Sequence, residues 1–298
     1  MKTMELRPSN RRGNSLAVAF TRTLFGIFVA MVIALISVGA HAQSPQDLAP
    51  PTPPPAPDAN AEFADPYATA GPKIYVTDAA GRLATVTLGT YAVHIIGSEG
   101  VVLTDIGFNP KDGQLYGVSF TSFYRVNRTT GKATLIGSLG ISDANALVFN
   151  GQGVAYTAGV NESELYTINV KTGRVKPVGS IVIDGVPIKS AGDLTFFNGG
   201  LVLSGYYQSS LTNSTPDTLV LLNPTNGKAE AYSELKIANL FGIVCPGKNL
   251  LFGFAGTSVY ELFPGQANID QRALLLKSLA GKGLSKIYGA AYDGYFLY

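Results

Sequence analysis

Tryptophan is absent from this chain, cysteine occurs once and histidine twice. The single cysteine, Cys245, excludes an intramolecular disulfide, a CxxC redox pair and a cysteine-ligated zinc site; alone, it reads as a small hydrophobe on a strand. His41 falls in an N-terminal leader, which leaves His94 as the one histidine around which a Ser-His-Asp triad could assemble and rules out a multi-histidine metal site. Its setting, Tyr91-Ala-Val-His-Ile-Ile, is that of an ordinary strand residue. Charged residues are scarce, at 14%, and Lys2, Arg7, Arg11, Arg12 and Arg22 crowd into the leader beside one acid, Glu5. The rest is therefore about neutral and lacks the clustered Lys and Arg of a nucleic-acid binder. Neither G-x-S-x-G nor H-E-x-x-H occurs, and Gly131-Lys132 lacks the preceding glycine of a phosphate loop.

What the chain does contain is apolar residues (46%), 34 glycines and 15 each of tyrosine and phenylalanine, a balance suited to many short strands joined by tight turns. The basic N-terminus, the uncharged residues 24–40 and the small residues of Ala40-His41-Ala42 predict a signal peptide over 1–42, cleaved to leave Gln43. Retention of this segment as a membrane anchor stays open, and it is the only membrane contact the sequence suggests. Residues 43–72 read as a spacer: SPQDLAPPTPPPAPD, residues 44–58, favours stiff polyproline II. The expected location of residues 73–298 is secreted or periplasmic.

From Lys73 onward one phrase recurs. Its clearest copy is Asp105-Ile-Gly-Phe-Asn-Pro-Lys-Asp-Gly-Gln-Leu-Tyr-Gly-Val-Ser followed by Ser122-Phe-Tyr-Arg-Val-Asn-Arg-Thr-Thr-Gly-Lys-Ala-Thr-Leu-Ile-Gly. Four strands, A to D, run through it at 106–109, 115–118, 123–127 and 133–136, with Asp112-Gly113 and Thr130-Gly131 supplying the positive φ of tight turns. The C–D turn returns at Gly173 and Gly227, and more loosely at Gly89 and Gly265. A period of about 40 residues with four strands per unit predicts an all-β β-propeller. An incomplete first blade over 73–97 precedes full blades starting near Asp105, Asp143, Asp193 and Asn239, and the tail from Tyr288 supplies the missing strand A. Five blades sharing one blade between the two ends follows. Residues 73–76 and 295–298 both claim strand B, so six blades with one incomplete is the alternative.

In these phrases the chain resembles bacterial secreted propeller-repeat proteins, in which D-I-A-F-x-P-x-G-x-L-Y-G precedes L-Y-x-V-D-x-x-T-G-x-x-T-x-I-G. The resemblance spans most of 73–298 and implies a fold rather than an activity. The absence of tryptophan argues against WD-type and quinoprotein propellers.

Two sets of residues are candidates for function. Asp105, Asp143 and Asp193, each just ahead of a strand A, are expected to gather at one mouth of the axial channel. There they either cap their own loops or jointly hold a hard cation such as Ca2+. An insertion between strands B and C of one blade contains Tyr206, Tyr207, Gln208 and Asn213, expected to overhang the same mouth and contact polysaccharide or an extracellular protein or peptide. The function predicted is an exported, non-catalytic binding or scaffold module. The alternative is a glycosidase-like hydrolase using two channel-mouth aspartates as acid and base.

Overall fold

The repeat folds as four-stranded antiparallel sheets because each unit alternates apolar strands with turns that glycine or asparagine can make. A computed structural model describes residues 71–207 and 216–294. All of these belong to the compact unit Ala61–Tyr298; the leader, nearly all of the spacer, Gln208, Asn213 and residues 295–298 lie outside the described residues.

Blade one begins with β1 (Lys73–Asp78), β2 (Arg82–Thr87) and β3 (Ala92–Ser98). Blade two is β4 (Asp105–Asn109), β5 (Gln114–Val118), β6 (Ser122–Val126) and β7 (Ala133–Ser138). Blade three is β8 (Val148–Phe149), β9 (Ala155–Ala158), β10 (Glu164–Ile168) and β11 (Val175–Ser180). Blade four adds a short β12 (Val182–Ile183) ahead of β13 (Val186–Phe197), β14 (Gly200–Tyr207), β15 (Thr218–Leu222) and β16 (Ala229–Glu234). Blade five is β17 (Leu240–Gly247), β18 (Leu250–Ala255), β19 (Ser258–Leu262) and β20 (Ala273–Ser278), after which β21 (Ile287–Ala291) pairs with β1.

The sheet order β21-β1-β2-β3 makes this a five-bladed propeller closed by both ends of the repeat region. The contest for strand B of blade one is settled in favour of β1, which pairs Val76 with Ala290 on one side and with Ala84 on the other.

A single blade cannot cover its own faces, so the core is divided into five layers between blades. Leu83, Ile106 and Leu115 fill the joint of blades one and two; Val118, Phe123 and Leu147 that of two and three. Leu165, Leu194 and Leu203 fill the third; Leu219, Leu240 and Leu251 the fourth; Ile74, Phe252 and Ile287 the last. Alternation along each strand sends successive side chains to opposite layers. The recurring Ile-Gly and Thr-Gly pairs also work between blades. Gly131, at φ 80°, lies so close to Gly97 that an added Cβ would stand 2.8 Å from the Gly97 carbonyl oxygen, and Gly173 repeats the contact against Gly137 at 2.9 Å.

Chain direction assigns the turns to two faces. The A–B and C–D turns share one face; the D–A and B–C connections share the other. Both additions in blade four are on the second face: the β12–β13 hairpin, turning at Asp184 and Gly185 with positive φ, and the insertion after Tyr207.

Candidate functional site

Over the stretch that faces the axis the innermost strand of each blade is hydrogen-bonded on one side only, β12 covering β13 at Val186 and Pro187 alone, so the other edge aims N–H groups at the axis with no sheet partner. Aligned by register with their strand B partners, Gly289, Asp105, Ala146, Asp193 and Gly242 are equivalent positions in the five blades. The next residue of each strand donates its N–H to one of two carboxyl groups. Asp105 accepts from Ile106 at 2.7 Å and from Leu147 of the neighbouring blade at 2.5 Å. Asp193 accepts from Leu194 at 2.6 Å, from Ile243 of its neighbour at 2.7 Å, and from Ala290. One donor from each blade thus ends on this pair.

Both aspartates have no exposed surface, and they hydrogen-bond each other. Burial raises both carboxyls well above the usual range, and the negative charge of Asp193 raises Asp105 further. Each carboxyl is therefore raised by burial, and the pair retains protons above the usual carboxylate range. Two side chains fit on the axis because the other three positions are small. A Cβ at Gly289 would collide with the carboxyl of Asp105, and one at Gly242 would come within 3.2 Å of the Ala290 Cβ.

Of the three aspartates expected to share a calcium ion, the structure brings together Asp105 and Asp193 alone. Five N–H donors converge on these two carboxyl groups, and Asp143 is not part of the set. It lies three residues ahead of the ring position Ala146, on the connection that enters β8. There its Oδ2 accepts the N–H of Asn161 at 2.8 Å and of Glu162 at 2.9 Å, as a loop cap does. Among the described residues no group of three or more Asp, Glu, His or Cys side chains is placed to hold a metal. The acid–base pair of the hydrolase reading also loses its footing: Asp105 and Asp193 touch, leaving no gap for a sugar or an attacking water.

On the face of the A–B turns the axis widens into a funnel of about 900 Å3, lined by all five innermost strands. Ile106, Leu147, Leu194 and Ala290, whose N–H groups the aspartates take up, stand at its deepest level, the side chains of Ile106, Leu147 and Leu194 being buried in the layers between blades. Two residues further along each strand stands a second ring, Phe108, Phe149, Phe196, Cys245 and Tyr292. A strand B residue of the preceding blade supports most of it: Tyr75 packs edge-on to Phe108 with centroids 5.2 Å apart, Tyr116 on Phe149 at 5.3 Å and Tyr156 on Phe196 at 6.2 Å. In blade four the supporting residue is Val202, and the ring residue beyond it is the smaller Cys245, packed in the same layer. Asn150, Gln152 and Pro224 lie nearer the rim, and Thr195 stands between Leu194 and Phe196 on β13. Arg128 stacks over Phe108 and Tyr75 and pairs with Asp293, joining blade two to the end of β21.

The sequence reading missed this ring, although an aromatic recurs near the end of strand A in Gly107-Phe108-Asn109, Val148-Phe149-Asn150, Phe196-Phe197-Asn198 and Tyr292-Asp293. These aromatics looked like core. The insertion, expected at the same mouth as the aspartates, leaves from the opposite face to the funnel. Of its named residues, Tyr206 donates its hydroxyl to the Val160 carbonyl at 3.1 Å and Tyr207 packs against the layer between blades three and four. His94 is exposed on the outermost strand β3, far from the axis in sheet order.

Away from the axis, burial also raises the carboxyls of Asp217 and Glu99. Asp217, at the base of the insertion, accepts the Leu240 N–H at 2.6 Å and is pushed up to about 7 by burial. Glu99 accepts the Thr77 hydroxyl at 2.9 Å and is pushed up to about 8, again by burial.

A five-bladed propeller with a sealed axis and one open funnel is thus the class of protein that the fold and site define. The chain belongs to the DUF6923 family, a repeat of unknown function, whose profile matches residues 80–262. Among solved structures it is similar to a Bacteroides thetaiotaomicron protein of unknown function, 14% identical over 77% of this chain and 66% of that one, with TM-score 0.48. It is also similar to a chain of a nidogen/laminin complex, 13% identical over 74% and 97%, with TM-score 0.47. A third, from work on the de novo evolutionary emergence of a symmetrical protein, is 21% identical over 73% and 92%, with TM-score 0.43. No curated protein matches the chain.

Proposed function

We propose that this chain is an exported binding module whose ligand enters the funnel on the A–B turn face. The observation that carries this reading is the funnel itself, about 900 Å3 in volume, with a ring of four aromatics and a thiol above a closed floor. Ligand pockets are of this size and lining. A funnel open at one end receives a small molecule or a group projecting from a polysaccharide or an extracellular peptide. The leader and spacer support export. Nothing in the Asp105–Asp193 contact suits acid–base hydrolysis, and binding uses the same cavity without asking for it.

The test is a glycan, peptide and small-molecule panel probed with the chain starting at Gln43, with Phe196→Ala and a deletion of residues 208–215 in parallel. Binding lost in Phe196→Ala and kept in the deletion supports the funnel. The opposite pattern moves the site to the insertion face. N-terminal sequencing of exported material should begin at Gln43, and an intact leader in the membrane fraction would replace the secreted reading with an anchored one.

A further inference from the structure

We infer that the face of the A–B and C–D turns docks an acidic polysaccharide, held by basic residues that the fold gathers on that face; the contact is with the turns and is separate from whatever enters the funnel. Beyond the leader the chain is about neutral, and its cations are scattered in sequence. Closure into a propeller sorts them. Lys111 and Lys248 stand in A–B turns, and Lys132, Lys171, Arg174 and Lys228 in the C–D turns of three successive blades. All six are exposed, and none has an ion-pair partner among the described residues. The acids of the same connections are engaged: Asp112 accepts the Tyr116 hydroxyl at 2.8 Å, Asp270 pairs with Lys236, and Asp293 pairs with Arg128. A local excess of unpaired positive charge on a near-neutral chain draws a polyanion to this face.

The three C–D turns are one device repeated. Each starts at an asparagine, Asn127, Asn169 or Asn223, whose side-chain oxygen accepts the N–H two residues on, at 2.9, 3.0 and 2.9 Å. The asparagine N–H donates to the carbonyl of the basic residue that closes the turn, Lys132, Arg174 or Lys228, at 2.9, 2.9 and 2.8 Å. The glycine before that residue, Gly131, Gly173 or Gly227, packs on Gly97, Gly137 or Gly179 near the end of the preceding blade's outer strand. One outer strand therefore separates Lys132 from Arg174 and another separates Arg174 from Lys228, roughly 20 Å each time at about 3.3 Å per residue. A small anion reaches one of these cations, whereas a polymer reaches several and binds more tightly through multivalency.

What lies between the cations selects a sugar polymer over an acidic protein. Protein interfaces are centred on apolar and aromatic anchors. In the A–B and C–D connections Val154 is the one exposed large hydrophobic residue among the described residues. Val102, Phe120 and Val186 belong to the opposite face, and Leu135, Leu274 and Leu275 to outer strands. The exposed neighbours of the cations are Thr129, Thr130, Thr172, Thr225 and Asn226, hydroxyls and an amide able to bond sugar hydroxyls.

The experiment titrates polygalacturonate into the chain starting at Gln43 at low salt, with dextran as the neutral polymer, poly-glutamate as the acidic peptide and trigalacturonate as the short acid. Polygalacturonate should bind, more weakly as salt is raised, and dextran should not. Poly-glutamate and trigalacturonate should bind at least about tenfold more weakly than polygalacturonate. Lys132→Glu, Arg174→Glu and Lys228→Glu combined should weaken polygalacturonate at least about tenfold with an unchanged circular dichroism spectrum. Lys189→Glu, Lys277→Glu and Lys286→Glu combined make the same charge change on β13, on β20 and ahead of β21, and should stay within about twofold of wild type. Phe196→Ala should bind polygalacturonate as wild type does, so this contact and the funnel are read separately. Equal weakening by the two triple variants, loss of binding in Phe196→Ala, or no binding of polygalacturonate overturns the docking face. Poly-glutamate or trigalacturonate bound as tightly as polygalacturonate overturns the polymeric sugar acid as partner.

Discussion

Replacing Asp105 by asparagine tests the proton-retaining pair at the axis. The amide can still accept from Ile106 and donate to Asp193, but its NH2 faces the Leu147 N–H, which Asp105 Oδ2 now accepts at 2.5 Å. One buried donor loses its partner, a cost of about 1–3 kcal/mol. For a domain of this size that lowers Tm by roughly 2–12 °C. Asp193→Asn should cost more, because three N–H groups and the bond with Asp105 converge on it. The pH dependence is the sharper readout. Both native carboxyls are raised, so above the unfolded value of about 4 the unfolded chain has released both protons while the native pair still holds on to protons. This contribution is fully present in acid and is lost as pH rises toward the native value, at about 1.4 kcal/mol per pH unit for each proton retained. Asp105→Asn removes one titrating carboxyl, and its stability should fall less steeply. Denaturant unfolding at pH 5, 6, 7 and 8 measures both slopes. Equal slopes in wild type and Asp105→Asn, or wild-type stability that climbs over this range, would refute the assignment.

Asp217→Asn keeps an acceptor for the Leu240 N–H and needs no proton; since Asp217 is raised to about 7, the wild type loses stability between about pH 4 and 7. The variant should match the wild type near pH 4 and be the more stable at pH 8, and a variant less stable at pH 8 would count against a neutral Asp217. Gly289→Ala drives a Cβ into the Asp105 carboxyl and should destabilise by about 1–3 kcal/mol, more than Gly242→Ala, whose new Cβ meets Ala290 at 3.2 Å; the two melting temperatures decide the order. Deleting residues 208–215 should hardly move Tm, because Gly205 and Thr218 already pair beneath the insertion and loop closure depends weakly on length. Loss of cooperative unfolding in that deletion would place the segment in the core.

Much of this architecture was legible in the chain before folding. The Asp-Gly and Thr-Gly turns at a period of about 40 residues specify four-stranded units, since local backbone conformation is set by the residues that must adopt it. The uninterrupted apolar run Leu115-Tyr116-Gly117-Val118 marks both faces as buried, which demands neighbouring blades. The tail from Tyr288 matched the missing strand A, and β21 occupies it. The axial site was legible only in part. Asp105 and Asp193 stood out as recurring carboxylates, but Asp143 looked equivalent although it stands three residues ahead of the ring position, and letters do not reveal register. Which carboxyl accepts which N–H, and that the pair retains protons, depends on five strands meeting at an axis; no single repeat contains that information. The funnel is of the same kind. Phe108, Phe149, Phe196 and Tyr292 each look like core within their own blade, and only closure into a ring leaves a cavity between them, because residues about 40 positions apart become neighbours through the symmetry of the fold rather than through the chain.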